Sequence, residues 1–214
     1  MSAITGKSAK VKYTSVTSTT AGGEAMTSVS PTTDYYEYRV TNAAKRHWDM
    51  DVEPTVYVNA STAVAAINYV QGHVTFTTAL STSDVVTADF SYHTASFLPW
   101  TRSFALDISN DVYDVTSFST TTGDVQWRSH VGGMSSWTAT LGKISPEGST
   151  ETPLFFDRFN TDEDIIVEFH MASTYKFEGY AVVERDSYTA GIDALQEETV
   201  TLRSASPLYY ATTE

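Results

Sequence analysis

Apolar and polar residues alternate with a period of two along many short segments of this chain. In the segment VVTADFSYH, Val86, Ala88 and Phe90 lie on one side of an extended strand, and their neighbours lie on the other. The same alternation recurs in TRSFALDIS, SSWTATLG and DIIVEFHM. This pattern predicts antiparallel strands, each with one buried face and one wetter face.

The alternation assigns several individual residues to one face or the other. Trp127 and Trp137 lie on the apolar sides of their segments, so we expect both in the core. Ile108 lies on the apolar side of TRSFALDIS. Asp107 and Glu168 lie opposite the core-facing residues of TRSFALDIS and DIIVEFHM, so we expect both carboxylates on the wetter faces.

Signals for turns and helices are few and short. INYVQGHVTFT predicts a hairpin, because Gly72 is free to take the positive φ of a tight turn. STETPLFFDRF predicts a short helix, with Thr152 as its cap and Pro153 at its first position. TNAAKRHW predicts one or two helical turns, and TSTTAGGEAMTS predicts a loop. Further strands are expected near residues 11–16, 36–40, 55–58, 126–130, 175–183 and 199–203.

The composition favours an all-β chain with a change of character near HTASFLPW. A strand ends there and Pro99 interrupts the pattern, so we expect an N-terminal β domain over residues 1–97 and a second domain over residues 98–214. The first part has six Lys/Arg against eight Asp/Glu, and the second has seven against eighteen. A net charge of −13 argues against gripping nucleic acid or an anionic membrane.

The sequence holds no recognisable catalytic motif. It lacks Gly-x-Ser-x-Gly, a phosphate-binding glycine loop, His-Glu-x-x-His and any cysteine. The five histidines are scattered singly at strand positions, where we expect them to be exposed. Acidic groups occur in WDMDVEP and DISNDVYD, but neither has the spacing of a calcium loop, so turn formation is the simpler explanation. We therefore expect no enzyme, and no catalytic residue, cofactor or metal site.

The order of segments resembles that of the tail tube (major tail) proteins of long-tailed bacteriophages. The resemblance runs from WTRSFALDIS and DVYDVTSFST through SSWTATLGK and PLFFDRF to DIIVEFH and FEGYAVVERDSYTAGIDALQEETVTLRS. The upstream segment from YEYRVTNAAKRHW to DFSYH is similar to the N-terminal segment of some of those proteins. Together these segments cover most of residues 35–205.

The resemblance implies two packed antiparallel β-sheets with one short helix, a tail-tube-like sandwich or barrel, preceded by a smaller β domain that decorates the tube or joins its wall. It implies self-assembly into rings, most often of six and alternatively of three, that stack into a tube. The implied partners are tape-measure, tail terminator and baseplate or tip proteins. DNA would pass through an acidic lumen without specific binding, and Asp107 and Glu168 are candidates for the lumen or an interface.

The implied location is the virion tail, after assembly in the host cytoplasm. No apolar run approaches the roughly 18–20 residues of a membrane span, so we expect no membrane contact. Two other functions remain open. One is another β-rich virion protein for head decoration or tail completion. The other is a carbohydrate-binding β-sandwich or a glycosidase, whose paired carboxylates need not be close in sequence.

Overall fold

The computed structural model describes residues 10–15, 17–29, 36–115, 128–144, 153–161, 163–171, 174–191 and 194–212. The first nine strands within these ranges are β1 Lys10–Thr14, β2 Thr19–Ser28, β3 Glu37–Val40, β4 Thr55–Val58, β5 Ser61–Ala63, β6 Ala66–Asn68, β7 His73–Thr75, β8 Val86–Tyr92 and β9 Ala95–Phe97. The remaining six are β10 Thr101–Asp114, β11 His130–Ile144, β12 Ile165–His170, β13 Tyr175–Gly191, β14 Ala194–Ser204 and β15 Tyr209–Thr212. Helix α1 spans Pro153–Thr161, and a 3-10 helix spans Ala43–Lys45.

The strands form two antiparallel sheets, so the all-β prediction with one short helix is confirmed. One sheet has the order β10-β11-β14-β13-β12-β1-β9, with β15 also paired to β13. The other has the order β5-β4-β8-β2-β3-β7-β6. None of the helices in the described ranges has the length and apolar character to span a membrane.

The chain divides into two compact units. Unit 1 comprises residues 1–99, 164–180 and 209–214, and unit 2 comprises residues 100–163 and 181–208. The first boundary therefore lies between Pro99 and Trp100, and unit 1 also draws on two later pieces of chain. The division into domains at residues 97 and 98 remains a prediction.

Strand alternation in unit 1 packs a core around Trp48 and Phe90. Their rings stack with centroids 4.5 Å apart, and both side chains are buried. Val86 and Ala88 of β8 are buried beside Phe90, as the period of two predicts. Burying aromatic and β-branched side chains on one face of a sheet supplies most of its stabilisation.

The segment TSTTAGGEAMTS is a strand, so its prediction as a loop was wrong. Most of it forms β2, which pairs with β8 from Thr19 to Ala25. The register shifts between Ala21 and Glu24, where Gly23 has φ +65° and donates its N–H to Asp89 Oδ1 at 2.6 Å. The two glycines of this segment therefore form an irregularity within a ladder instead of ending it.

The predicted turn at Gly72 and the predicted helix at Pro153 are both present. Residues 69–72 form a turn between β6 and β7, and Gly72 has φ +57°. Pro153 is the first residue of α1, where its missing N–H costs nothing. Thr152, Trp127 and the first two residues of the strand predicted at 126–130 lie outside the described residues. Residues 128 and 129 are not in a strand, and β11 begins at His130.

We expect Gly72→Ala to lower the free energy of unfolding by about 2–3 kcal/mol. Left-handed backbone costs alanine about 1 kcal/mol, and a Cβ at this position would lie 2.8 Å from both Cα and O of Arg46. Gly23→Ala is the matched control, because Gly23 also has positive φ but a Cβ added there would have no neighbouring atom within 4 Å. Urea unfolding followed by circular dichroism measures both. Equal losses would show that the contact with Arg46 adds nothing.

Candidate assembly surface

Strands β10 and β11 form a long antiparallel hairpin in unit 2. The two strands pair from Thr101 opposite Lys143 to Asp114 opposite His130. Strands of 14 and 15 residues extend roughly 45 Å at about 3.3 Å per residue. The register shifts between Asn110 and Val112, so the distal part of the hairpin follows a bulge.

The two halves of this hairpin differ in burial. From Trp137 onward β11 alternates between buried and more exposed residues, and Trp137 is 3% exposed, as the sequence predicts. All residues of β11 before Trp137 are exposed. The exposed large apolar residues of the hairpin and of the two positions that flank β10 are Trp100, Ile108, Val112, Tyr113, Val115, Val131 and Met134. Apolar side chains are therefore exposed on both faces of the distal hairpin, because Val112 pairs with Gly132 and the next residue, Tyr113, pairs with Val131.

The side chains of β10 alternate between the two faces as predicted, but those on the core-facing side are not all buried. Ile108 lies opposite Trp137 on the core-facing side, yet it is 61% exposed. β10 is the last strand of its sheet, so within the described ranges its apolar side chains have a neighbouring strand on one flank only. The core prediction for Ile108 was therefore wrong for the single chain.

Asp107 lies on the other, polar face of the hairpin. It pairs with Thr138, and the next pair on that face, Ser109 and Ser136, has hydroxyl oxygens 3.0 Å apart. Asp107 is exposed, as the sequence predicts. Its role in a lumen or interface remains a prediction.

The outer edge of β10 is open among the strands that the structure describes, where β10 pairs only with β11. An edge strand presents a row of backbone N–H and C=O groups to which another chain can add a strand. The edge carries exposed Arg102 beside Glu197 at 3.4 Å, a surface pair that contributes little stability.

A buried ion pair lies at the base of the hairpin. Lys143 of β11 and Glu198 of β14 are cross-strand partners, with Nζ 3.0 Å from Oε2 and neither side chain exposed. Lys143 Nζ also lies 5.9 Å from the ring centroid of Phe155, a buried residue of α1. The pair therefore joins β11 to β14 beneath the helix.

A second ionic cluster surrounds Glu168 in unit 1. Its carboxylate accepts from His47 Nε2 at 2.8 Å, His170 Nε2 at 2.6 Å and Lys176 Nζ at 2.6 Å, and lies 3.3 Å from Lys12 Nζ. Burial alone would raise the pKa of Glu168, but the hydrogen bonds from His170 and His47 and the charge of Lys176 hold it well below its usual range.

The sequence placed Glu168 on a wetter face, and the structure corrects this. Glu168 is 3% exposed, because both faces of β12 are covered. The histidine prediction was also wrong: among the five, only His130 is exposed, and His47 is buried. Asp107 and Glu168 belong to different units. The part of Glu168 in a lumen or interface remains a prediction.

The same cluster contains a group of side chains that could ligate a metal. Single ligand atoms of His47, Glu168 and Glu178 all lie within 4.8 Å of one another. Lys176 Nζ lies 2.6 Å from an oxygen of each glutamate. Burial alone would lower the pKa of Lys176, but the charges of Glu178 and Glu168 raise it. The ammonium therefore supplies the positive charge that the two carboxylates need.

No protein-family model and no curated protein sequence matches the chain. Among solved structures, it is similar to a chain in the virion of a native gene transfer agent particle, with 15% identity and a TM-score of 0.48 over 55% of this chain and 88% of that one. A chain in the tail of the empty particle gives 16% identity and a TM-score of 0.48 over 55% and 87%. The SPP1 tail tube gives 12% and 0.40 over 56% and 69%.

Proposed function

We propose that this chain is a structural, non-enzymatic subunit of a bacteriophage-type tail tube. Copies of it assemble into rings, and the rings stack into a hollow tube. The ring contains six copies, with three as the alternative. Two observations support it: the resemblance of the sequence to tail tube proteins, and the form of the β10–β11 hairpin.

The exposed and open-edged hairpin is the observation that carries the proposal. It has a long strand edge that no described strand covers, and it exposes apolar side chains on both faces, including Val112 on one face and Val131 on the other. Strand addition along β10 would satisfy its edge, and a neighbouring copy would cover the apolar side chains. A contact between two different surfaces closes into a ring when its rotation divides a full turn evenly, and we propose that this contact does so.

The polar face of the hairpin suits the lining of a channel. Asp107 lies there among Thr138, Ser109 and Ser136. We propose that Asp107 faces the lumen, where negative charge repels phosphates and lets DNA pass without adhering. Glu168, which is buried within the chain, would contribute by holding the shape of unit 1 near an interface.

The proposed partners are the proteins that a subunit of a tail tube would contact. They are other copies of this chain, the tape-measure protein inside the tube, and the terminator and baseplate or tip proteins at its ends. The proposed location is the virion tail, after assembly in the host cytoplasm. The exposed apolar hairpin would then be covered in the finished particle.

Negative-stain electron microscopy of the purified chain at rising concentration, together with light scattering, tests this function. Rings or hollow tubes with a regular axial repeat are expected, and counting subunits distinguishes six from three. A monomer that binds a glycan would contradict the proposal. Closed assemblies without tubes would instead favour a head decoration or tail completion protein.

We expect Val112→Asp to prevent assembly while the chain stays folded. The substitution introduces an unpaired charge into a surface that is 60% exposed in the single chain and buried in the proposed ring. In the single chain, the change costs at most about 1 kcal/mol of strand propensity. Light scattering and electron microscopy measure the loss of assembly, and circular dichroism checks folding.

Val85→Asp is the matched control for this variant. Val85 is 63% exposed and lies outside the hairpin, so the same change of side chain should leave assembly intact. If Val85→Asp and Val112→Asp behave alike, the hairpin is not the contact surface.

A further inference from the structure

Three buried side chains of unit 1 form a group with the composition of a metal site. A ring nitrogen of His47 and one carboxylate oxygen each of Glu168 and Glu178 lie within 4.8 Å of one another. All three residues are buried. Imidazole and carboxylate ligands suit Zn²⁺, which often takes three protein ligands and leaves one position for water.

Two of these side chains are held in place by a further hydrogen bond. His47 donates its Nδ1–H to the carbonyl oxygen of Val70 at 2.8 Å, since a carbonyl can only accept. Its other nitrogen, Nε2, lies 2.8 Å from Glu168 Oε1. Glu178 Oε1 accepts from Gln71 Nε2 at 2.9 Å. Outer hydrogen bonds of this kind orient the ligands of protein metal sites.

The ammonium of Lys176 marks the position of a cation between the two carboxylates. Its Nζ lies 2.6 Å from Glu168 Oε1 and 2.6 Å from Glu178 Oε2. The second oxygen of Glu168 accepts from His170 Nε2 at 2.6 Å, as in the outer hydrogen bonds of the other two side chains. A divalent ion at this position would bring two positive charges to two carboxylates, where the ammonium brings one.

A cavity of about 140 Å³ borders the group, and its wall includes His47, Glu168, Lys176 and Glu178. Since water occupies about 30 Å³ in the liquid, the cavity has room for a few water molecules or for a displaced lysine side chain. We propose that unit 1 binds a divalent transition-metal ion, with Zn²⁺ as the type, through His47 Nε2, Glu168 Oε1 and Glu178 Oε2. The ion takes the place of the Lys176 ammonium, and water from the cavity completes its coordination.

The ion would join pieces of chain that are remote in sequence. His47 follows the 3-10 helix, Glu168 lies on β12 and Glu178 lies on β13. His47 and Glu168 are 121 positions apart, so no spacing in the sequence indicates the site. Because the three ligands come together only in the folded chain, metal binding would stabilise the fold. This inference does not depend on the proposed tube function.

Thermal unfolding of the full chain with added Zn²⁺ tests the site, after treatment with a chelator and its removal, at fixed pH and ionic strength. A ligand that binds only the folded state raises Tm with its concentration. We expect Zn²⁺ to raise Tm of the wild type. Mg²⁺ should have no such effect, because it prefers oxygen ligands and keeps most of its water. Isothermal titration calorimetry measures the Zn²⁺ affinity.

Glu178→Gln tests whether the ion lies at this group. The variant keeps the size of the side chain and removes a charged ligand. It should weaken Zn²⁺ binding at least about tenfold, since even the outer partners of metal ligands contribute that much. Glu37→Gln is the matched control, because Glu37 also lies beside a histidine, with Oε2 3.8 Å from His73 Nε2, but is not in the group. It should leave the affinity within about twofold of the wild-type value.

Lys176→Met tests whether the ion replaces the ammonium. The variant keeps the apolar stem and removes the competing charge, so it should bind Zn²⁺ about tenfold more tightly than the wild type, which must first break charged hydrogen bonds. Without metal, its two carboxylates lack the ammonium, and Zn²⁺ should therefore raise its Tm more than that of the wild type.

Three results would overturn the proposal. The first is an equal effect of Zn²⁺ and Mg²⁺ on Tm of the wild type, which needs no variant. The second is equal weakening of Zn²⁺ binding by Glu178→Gln and Glu37→Gln, which would place the ion elsewhere. The third is Zn²⁺ binding by Lys176→Met that is no tighter than that of the wild type. Circular dichroism at low temperature establishes that each variant is folded.

Discussion

Glu168→Gln is expected to lower the free energy of unfolding by about 3–5 kcal/mol at neutral pH. The side chain is 4% exposed and is surrounded by His47, His170, Lys176 and Lys12. A glutamine keeps the size but removes the negative charge. It removes the charge that Lys12 and Lys176 share, so that Lys176 keeps only Glu178, and its amide N–H faces other donors. Urea unfolding followed by circular dichroism measures the change.

We expect the difference in stability between the wild type and Glu168→Gln to depend on pH. The pKa of Glu168 in the folded chain lies well below 4.5, the value of an ordinary glutamate. The stabilisation from its charge is therefore complete above about pH 4.5 and is lost progressively as the pH falls below that value. The difference between wild type and Glu168→Gln should shrink there, by up to about 1.4 kcal/mol per pH unit.

Glu37→Gln is the control in the same unit. Glu37 also lies near a histidine, with Oε2 3.8 Å from His73 Nε2, but its side chain is 47% exposed. We expect a loss of less than about 1 kcal/mol for this surface pair. Similar losses for Glu37→Gln and Glu168→Gln would show that the buried cluster is no more important than a surface pair.

Glu198→Gln is expected to cost a similar amount, about 3–5 kcal/mol, in unit 2. Lys143 and Glu198 are both fully buried, so the substitution removes the cross-strand counterion of a buried ammonium beneath α1. Glu197→Gln, at the next position of β14, removes only an exposed pair with Arg102 and should cost less than about 1 kcal/mol. Urea unfolding of the two variants measures the contrast.

The double variant Lys143→Met with Glu198→Leu separates charge from packing. Replacing a whole buried ion pair with apolar side chains is often neutral or stabilising, because neither charge has to be desolvated. The double variant should therefore be more stable than Glu198→Gln alone. If it is equally unstable, the shape of the pair and not its charge is what the site requires.

Several features of the fold could be predicted because they depend on neighbours in sequence. The alternation at Val86, Ala88 and Phe90, the turn at Gly72 and the helix that begins at Pro153 all match the structure. Each depends on backbone preferences or on a period within a few residues. Trp137 was correctly assigned to the core for the same reason.

Other features depended on strands from distant parts of the chain. The glycines of β2 indicate a loop when taken alone, but the ladder with β8 holds them in a strand. Ile108 has the period of a core residue, but the position of β10 at the end of its sheet leaves it exposed. An edge strand and a central strand can have the same alternation, because the pattern records which side a residue faces and not what covers that side.

The sequence by itself determined the all-β class, the alternating faces, the turn at Gly72 and the uneven acidity of the chain. Only the tertiary structure decided the surroundings of Glu168. His47 and Glu168 are 121 positions apart, and unit 1 gathers residues 164–180 and 209–214 beside its first 99 residues. A carboxylate that looks solvated by its period becomes buried when a second layer covers it, and it then remains charged only because cations from remote strands surround it.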